Sequence, residues 1–314
     1  MRHGLTESQR HRFAQDGLLF PLPVLTAGDA ARFCGSALSA MRAGEGTPYQ
    51  PVECAHMLYG WAAELVHSEH ILDMVQDALG SENILCWEST VWIKQPGSQA
   101  HVSWHQDARY WGLDPAEDVV TMWVALSEVP RRAGPVLLIP RTHTATPRGE
   151  FLHHVEKGQQ KRPGNLLSRG QEIAAADLDM SSQQCATLKA GEALLFHSKT
   201  AHSSGIMDPA WPYPRVGISI RYMLPSVKQR FCAPDVMDEA LLVRGCDTHS
   251  HFLLHESALG SALDEGLIEQ KLKAAFDRML KTRAAILSHD ATVRWPTATD
   301  DKDAEHCTKR QRCM

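Results

Sequence analysis

The stretch Ile84-Leu85-Cys86-Trp87-Glu88-Ser89-Thr90-Val91-Trp92-Ile93-Lys94 is where the chain changes character. It is crowded with β-branched and aromatic residues, which suit a pleated surface, and it reads as a long strand. Ahead of it the chain reads mainly as helices. Thr6 caps a first helix to about residue 16, with Gln9 in capping-box position and Gly17 as its stop. Residues 18–24 make a short proline-bearing strand. Thr26 and Asp29 open a second helix to Arg42. Ala63, Val66, Ile71, Val75 and Leu79 fall at helical spacing in a third over 59–79, which Gly80 ends.

Behind the long strand come compact apolar runs of strand length at 119–126, 135–139, 184–188, 193–196, 202–207 and 216–223. Residues 155–180 hold few apolar side chains and read as a long excursion, a lid. Residues 264–288 return to helix, with Leu267, Leu272, Phe276, Met279 and Leu280 largely on one side, and 297–314 is a polar, disordered tail. Helices, then roughly eight short strands, then a helix point to a mainly β fold with flanking helices, a sandwich or barrel. No linker divides it. Residues 1–296 are expected as a single domain, with N-terminal helices over 1–82, a β core over 83–225 and a C-terminal helical region over 226–296.

With 314 residues, 43% of them hydrophobic, the chain can bury a sizeable core. A net charge of −5 and the lack of a basic stripe exclude nucleic acid as an expected partner. Lys161, Arg162 and Arg169 are the closest approach to one. No apolar run nears ~20 residues, so no membrane span is expected. The polar opening to Arg12 lacks a signal-peptide core, and the eight cysteines form no CxxC pair. A cytoplasmic protein with reduced thiols is expected, a monomer or homodimer.

The informative local feature is Trp104-His105-Gln106-Asp107. On a strand, residues two apart share a face, so His105 and Asp107 present an imidazole and a carboxylate to one ion. A distant histidine, His197 or His202, completes a 2-His-1-carboxylate triad of the kind that leaves open positions on non-haem iron. In that chemistry a 2-oxo diacid chelates iron, and its far carboxylate calls for an arginine. Arg215 lies thirteen positions after His202, at the head of a strand.

Here the chain resembles the phytanoyl-CoA dioxygenase family of 2-oxoglutarate oxygenases. The resembling motifs include Ile93-Lys94-Gln95-Pro96-Gly97, the Trp104–Asp107 stretch, Tyr110-Trp111-Gly112-Leu113 and Trp123-Val124-Ala125-Leu126. They continue in Leu138-Ile139-Pro140-Arg141-Thr142-His143, Asn165 to Gly170, His202-Ser203-Ser204-Gly205, Arg215 and Ile220-Arg221-Tyr222. The resemblance implies a double-stranded β-helix, the cupin-like jelly roll. It implies Fe(II) on His105, Asp107 and His202, 2-oxoglutarate on Arg215 and Ser204, and further co-substrate positions at Thr90 and Trp123. There are departures. Arg141 stands where the family has glycine, and arginine does not take a positive φ as cheaply, so that turn is expected to differ. Residues 208–214 look longer than in relatives, which makes Arg221 the alternative to Arg215. No lysine before residue 85 matches one the family sometimes places on the co-substrate.

The implied reaction is O2-dependent hydroxylation of an unactivated C–H, with succinate and CO2 as co-products. Arg109, Tyr110 and Trp111 flank the ligands and are candidate substrate residues. No basic patch suits a CoA nucleotide, which favours a small polar or secondary-metabolite substrate. Desaturation, cyclisation and oxidative demethylation fit the same scaffold. Asp107 opposes halogenation, since halide needs its place on iron. The competing classes are a non-catalytic metal-binding jelly roll and a zinc hydrolase, and the latter gives Arg215 and Ser204 no purpose.

Overall fold

Local signals set the helical ends as the sequence foretold. In α1 (Glu7–Asp16) the Thr6 hydroxyl accepts the Gln9 backbone N–H at 3.2 Å, and the Gln9 side chain returns to the Thr6 N–H at 2.8 Å. Gly17 closes this helix at φ 73°. The computed structural model describes residues 3–43, 52–145, 151, 164–167, 172–230 and 237–255. In α2 (Ala27–Ala43) Thr26 accepts from the Asp29 N–H at 3.1 Å. The helix expected over 59–79 is interrupted. A short α3 (Ala55–Leu58) precedes α4 (Gly60–Val66), and α5 (Glu69–Leu79) starts afresh. The break falls where the His67 ring folds back to bond the Ala63 carbonyl at 2.8 Å, ending α4, and Ser68 takes the N-cap position of α5.

The strands are β1 (Leu18–Pro23), β2 (Val52–Glu53), β3 (Ile84–Lys94), β4 (Val102–His105), β5 (Leu113–Asp114), β6 (Val119–Ala125) and β7 (Val136–Leu138). They continue as β8 (Gln184–Ala186), β9 (Glu192–His197), β10 (His202–Ser204), β11 (Arg215–Met223), β12 (Lys228–Gln229), β13 (Glu239–Arg244) and β14 (Leu253–Leu254). A one-turn helix, α6 (Ala108–Trp111), follows β4. The large sheet runs β1-β9-β6-β11-β3-β13-β14, with β2 on β3. The small one runs β4-β10-β7-β8. Their pairings are antiparallel except β13 with β14. This is the jelly roll the sequence implied.

Strand alternation divides the core between the two faces of the large sheet. Val91, Val120, Met122, Val216, Ile218 and Tyr222 point outward to a core shared with Phe33, Leu65, Ile71 and Val75 of the helices. The other parity carries Trp123, Leu194 and Phe196 toward Val136, Leu138 and Ala186 of the small sheet. The site lies on this inner side.

Two further expectations change among the described residues. Residues 226–296 are expected to be helical, but their described portion, to residue 255, holds strands β12, β13 and β14. Leu241 of β13 pairs Cys86, and Ala240, Val227 and Phe252 pack on Leu85 and Met223, so these apolar residues extend a sheet edge. The helix expected at 264–288 and the tail lie outside the described residues, as does half of the 155–180 excursion. Its described end buries Ile173 and Leu178 against Ile139 and Ala201. Finally, Arg141 does take the glycine conformation, at φ 66°. Its N–H bonds the Asp16 carbonyl at 2.8 Å and its Nε reaches Asp16 Oδ1 at 3.2 Å. Contacts to the end of α1 offset a backbone cost of roughly 1–2 kcal/mol.

Gly217 of β11 leaves room for the Trp123 ring. A Cβ there would lie 2.2 Å from it. Gly217→Ala is expected to destabilise the fold by about 1–3 kcal/mol through overpacking. An unchanged urea midpoint would show that the ring yields freely.

Candidate active site

Antiparallel pairing of β4 with β10 sets His202 opposite His105, with ring centroids 4.1 Å apart. Each imidazole is oriented by the carbonyl two residues before it. His105 Nδ1 lies 2.9 Å from Ser103 O, and His202 Nδ1 lies 3.0 Å from Thr200 O. A carbonyl only accepts, so Nδ1 carries the proton and Nε2 keeps its lone pair for a metal. Asp107 is not on the strand as expected. It has helical backbone angles, φ −59° and ψ −45°, at the mouth of α6. The chain turns just after His105 and still brings the carboxylate back. Its Oδ1 lies 3.4 Å from His105 Nε2 and its Oδ2 lies 3.8 Å from His202 Nε2. Gln106 pins this turn. Its amide donates to the Lys199 carbonyl and its oxygen accepts the Phe151 N–H.

The three ligand atoms lie within 4.8 Å of one another, and they are the one such His/Cys/Asp/Glu group among the described residues. All three side chains are buried. Burial, aided by His105, pulls the His202 imidazole down to about 4. Burial alone would raise Asp107, but its neighbours His202, His105 and Arg221 outweigh it and hold the carboxyl below its usual range. A neutral imidazole and an ionised carboxylate are the forms a divalent cation takes. His197, the other histidine weighed, lies elsewhere. Its Nδ1 accepts the Lys199 N–H at 3.0 Å, and its ring stands 5.3 Å from that of His143.

Ser204, on β10, and Arg215, at the start of β11, form a second centre. Arg215 is 3% exposed. Its Nη1 donates to the Gly134 carbonyl at 2.9 Å, its Nε has no hydrogen-bond partner, and its Cζ sits 5.3 Å over the Trp123 ring. Gly134 has φ 64°, and a Cβ there would strike the Gly205 carbonyl, so glycine is required at this crossing. Sequence reasoning missed a resident of this centre. Lys94 is 1% exposed, pairs Arg215 in the β3–β11 register, and donates to Ser204 Oγ at 2.6 Å and to the Gly205 carbonyl at 2.5 Å. A signal existed, because Lys94 shares strand parity with Thr90.

Arg221, the alternative arginine, belongs elsewhere. Its Nη1 donates to the Thr90 hydroxyl at 2.5 Å and lies 3.7 Å from Glu88, and its Cζ is 5.4 Å from the Trp111 ring. It thus has a carboxylate partner, and its charge reaches Asp107. Thr90 is engaged by Arg221. Arg109, Tyr110 and Trp111 lie on α6, just beyond Asp107, each partly buried. Trp111 also packs on Trp87, with centroids 5.4 Å apart.

Comparison with known proteins bears on the family and the fold. Residues 50–206 match the sequence model of the phytanoyl-CoA dioxygenase (PhyH) family, half of the chain. A probable alpha-ketoglutarate-dependent (2-oxoglutarate-dependent) hypophosphite dioxygenase of Stutzerimonas stutzeri is 32% identical over 158 residues, 49% of this chain and 50% of that protein. The matched stretch thus spans about half the length of this curated relative. Among solved structures, a non-haem monooxygenase, ThoJ in its apo form, superimposes with TM-score 0.72 at 28% identity, over 89% of this chain and 99% of its own. SnoN, a non-haem alpha-ketoglutarate-dependent epimerase from nogalamycin biosynthesis, shares the fold at TM-score 0.57 and 19% identity, over 80% and 95% of the two chains.

The depressed imidazoles imply a pH dependence. His202 and His197 are both held at about 4, against 6.5 for an ordinary histidine. Each is neutral when folded and protonates once unfolded, so its contribution is full above 6.5 and is lost as pH falls toward 4. The metal-free protein is expected to lose melting temperature across that window. A flat profile there contradicts the burial of these rings in neutral form.

Proposed function

The chain belongs to the phytanoyl-CoA dioxygenase family, and on that premise we propose that it is an Fe(II)- and 2-oxoglutarate-dependent oxygenase acting on a small molecule. His105 and His202 through Nε2, with the Asp107 carboxylate, hold the iron. Arg215 and Ser204 take the far carboxylate of 2-oxoglutarate, and Trp123 walls the pocket beneath the guanidinium. The observation that carries this reading is Arg215 itself, a buried guanidinium with no carboxylate partner among the described residues. Burial lowers it to about 10. A buried cation without a counter-ion costs several kcal/mol, and a diacid supplies the missing charge. A zinc hydrolase has no use for that group.

Bound iron with 2-oxoglutarate and O2 supplies the oxidant, with succinate and CO2 as co-products. The protein supplies placement and dryness. The carbonyls of Ser103 and Thr200 keep both imidazoles in the metal-binding tautomer. Thr90 and Glu88 hold Arg221 near Asp107, where its charge adds, after those of His202 and His105, to the lowering of that carboxyl. Arg109, Tyr110 and Trp111, following Asp107 on α6, form the substrate mouth. Hydroxylation of an unactivated C–H in a small polar or secondary metabolite is the proposed outcome. The pose over the iron decides between it and desaturation, cyclisation or demethylation.

Purified protein given Fe(II), 2-oxoglutarate and a substrate panel is expected to release succinate, coupled or uncoupled, and a gain of one oxygen in product mass identifies hydroxylation. No succinate under any condition counts against an oxygenase. Asp107→Ala is expected to abolish turnover and to weaken metal binding by more than the roughly 10–100-fold that loss of an outer partner costs. Arg215→Leu should retain the metal but raise the KM for 2-oxoglutarate about thirtyfold or more, since truncating one member of a buried charge pair costs about 2–5 kcal/mol. Wild-type KM in that variant would remove Arg215 from the co-substrate site.

A further inference from the structure

We propose that Lys94 is a second co-substrate-binding cation, its ammonium group sharing the far carboxylate of the diacid with the Arg215 guanidinium and the Ser204 hydroxyl. The inference rests on the oxygenase reading and adds to it a residue and a selectivity. The large sheet places Lys94 and Arg215 opposite each other in register on neighbouring strands, both essentially sealed from solvent. The partners of Lys94 Nζ are Ser204 Oγ and the Gly205 carbonyl, both neutral. Those of Arg215 are the Gly134 carbonyl and the face of Trp123, also neutral. No carboxylate among the described residues pairs with either, so two basic groups share one dry corner with no counter-ion. An ammonium carries three donors, and two are used, which leaves one for a ligand.

Structural anchoring of β10 through Ser204 and Gly205 would explain a donor at this position, but not a cation beside another cation. The electrostatics agree with the geometry. Burial, then the charge of Arg215, pulls Lys94 down to about 6, and Arg215 is the charged group acting on it among the described residues. Without an anion, Lys94 is therefore largely neutral near pH 7. A carboxylate arriving between the two groups restores the proton. A guanidinium and an ammonium converging on one carboxylate select a 2-oxo diacid over a 2-oxo monoacid or a diacid half-ester.

The test is anaerobic titration of the Fe(II)-loaded protein with 2-oxoglutarate, by calorimetry in buffers of different ionisation enthalpy and over a pH series. Wild type is expected to take up protons on binding, and its Kd should weaken above about pH 6 by up to about tenfold per unit. Lys94→Met is expected to bind about thirtyfold or more weakly, with the proton uptake and pH slope lost and Fe(II) affinity retained. A merely structural lysine would leave the proton uptake in place. If the Met variant does not fold, Lys94→Gln is read the same way. A neutral variant with wild-type affinity and pH slope overturns the role of Lys94 alone. Wild type that binds Fe(II) but no 2-oxoglutarate overturns the oxygenase reading with it.

Discussion

The pairing of β10 with β4 is the contact the site depends on. It sets His202 against His105, residues almost a hundred positions apart, and closes the small sheet that carries both imidazoles. Side chains alternate along a strand, so a slip of one residue would turn His202 to the other face and leave a His-Asp pair with no third ligand. β7 guards that register from the other side, pairing His202 with Leu138 and Ser204 with Val136. Leu138 and Val136 point into the inter-sheet core, so burying them and aligning His202 are the same event.

The two sheets divide the chemistry. The small sheet brings the two imidazoles and Ser204, and the large sheet brings Arg215 and Lys94. Only when the sheets pack do these groups share one dry space, where the low dielectric costs Lys94 its proton and strengthens the attraction of Arg215 for an anion. On the proposed reading the protein keeps a buried guanidinium, and beside it an amine that has given up its proton, for an anionic ligand to recharge. A ligand that binds only the folded state stabilises it in proportion to the logarithm of its concentration over Kd, so on that reading metal and diacid stabilise the same region.

The outer face of the large sheet is covered by α2, α4 and α5, and its edges are extended by β1 on one side and β13 on the other. These additions come from the stretches of sequence read as helical flanks. Arg141 shows how far the framework is determined by such packing. It holds a left-handed backbone that glycine would adopt more cheaply, because the end of α1 offers its N–H and its side chain a partner in Asp16.

By itself the sequence determined most of the elements and pointed to the candidate ligand set. A capping box at Thr6, the dense β-branched run of β3, and the His105, Asp107, His202, Ser204 and Arg215 positions all follow from short-range chemistry or motif order, which a linear chain displays. The tertiary structure alone decided three things. Asp107 joins the imidazoles through a helical turn, because Gln106 is held by Lys199 and Phe151 from distant segments. Arg215 and Arg221 receive different tasks, because Glu88 pairs with one of them and no described carboxylate with the other. Lys94 ends beside Arg215 because β3 and β11 align in that register. Each is a matter of which long-range neighbour a side chain meets, and residue spacing along one chain does not encode that.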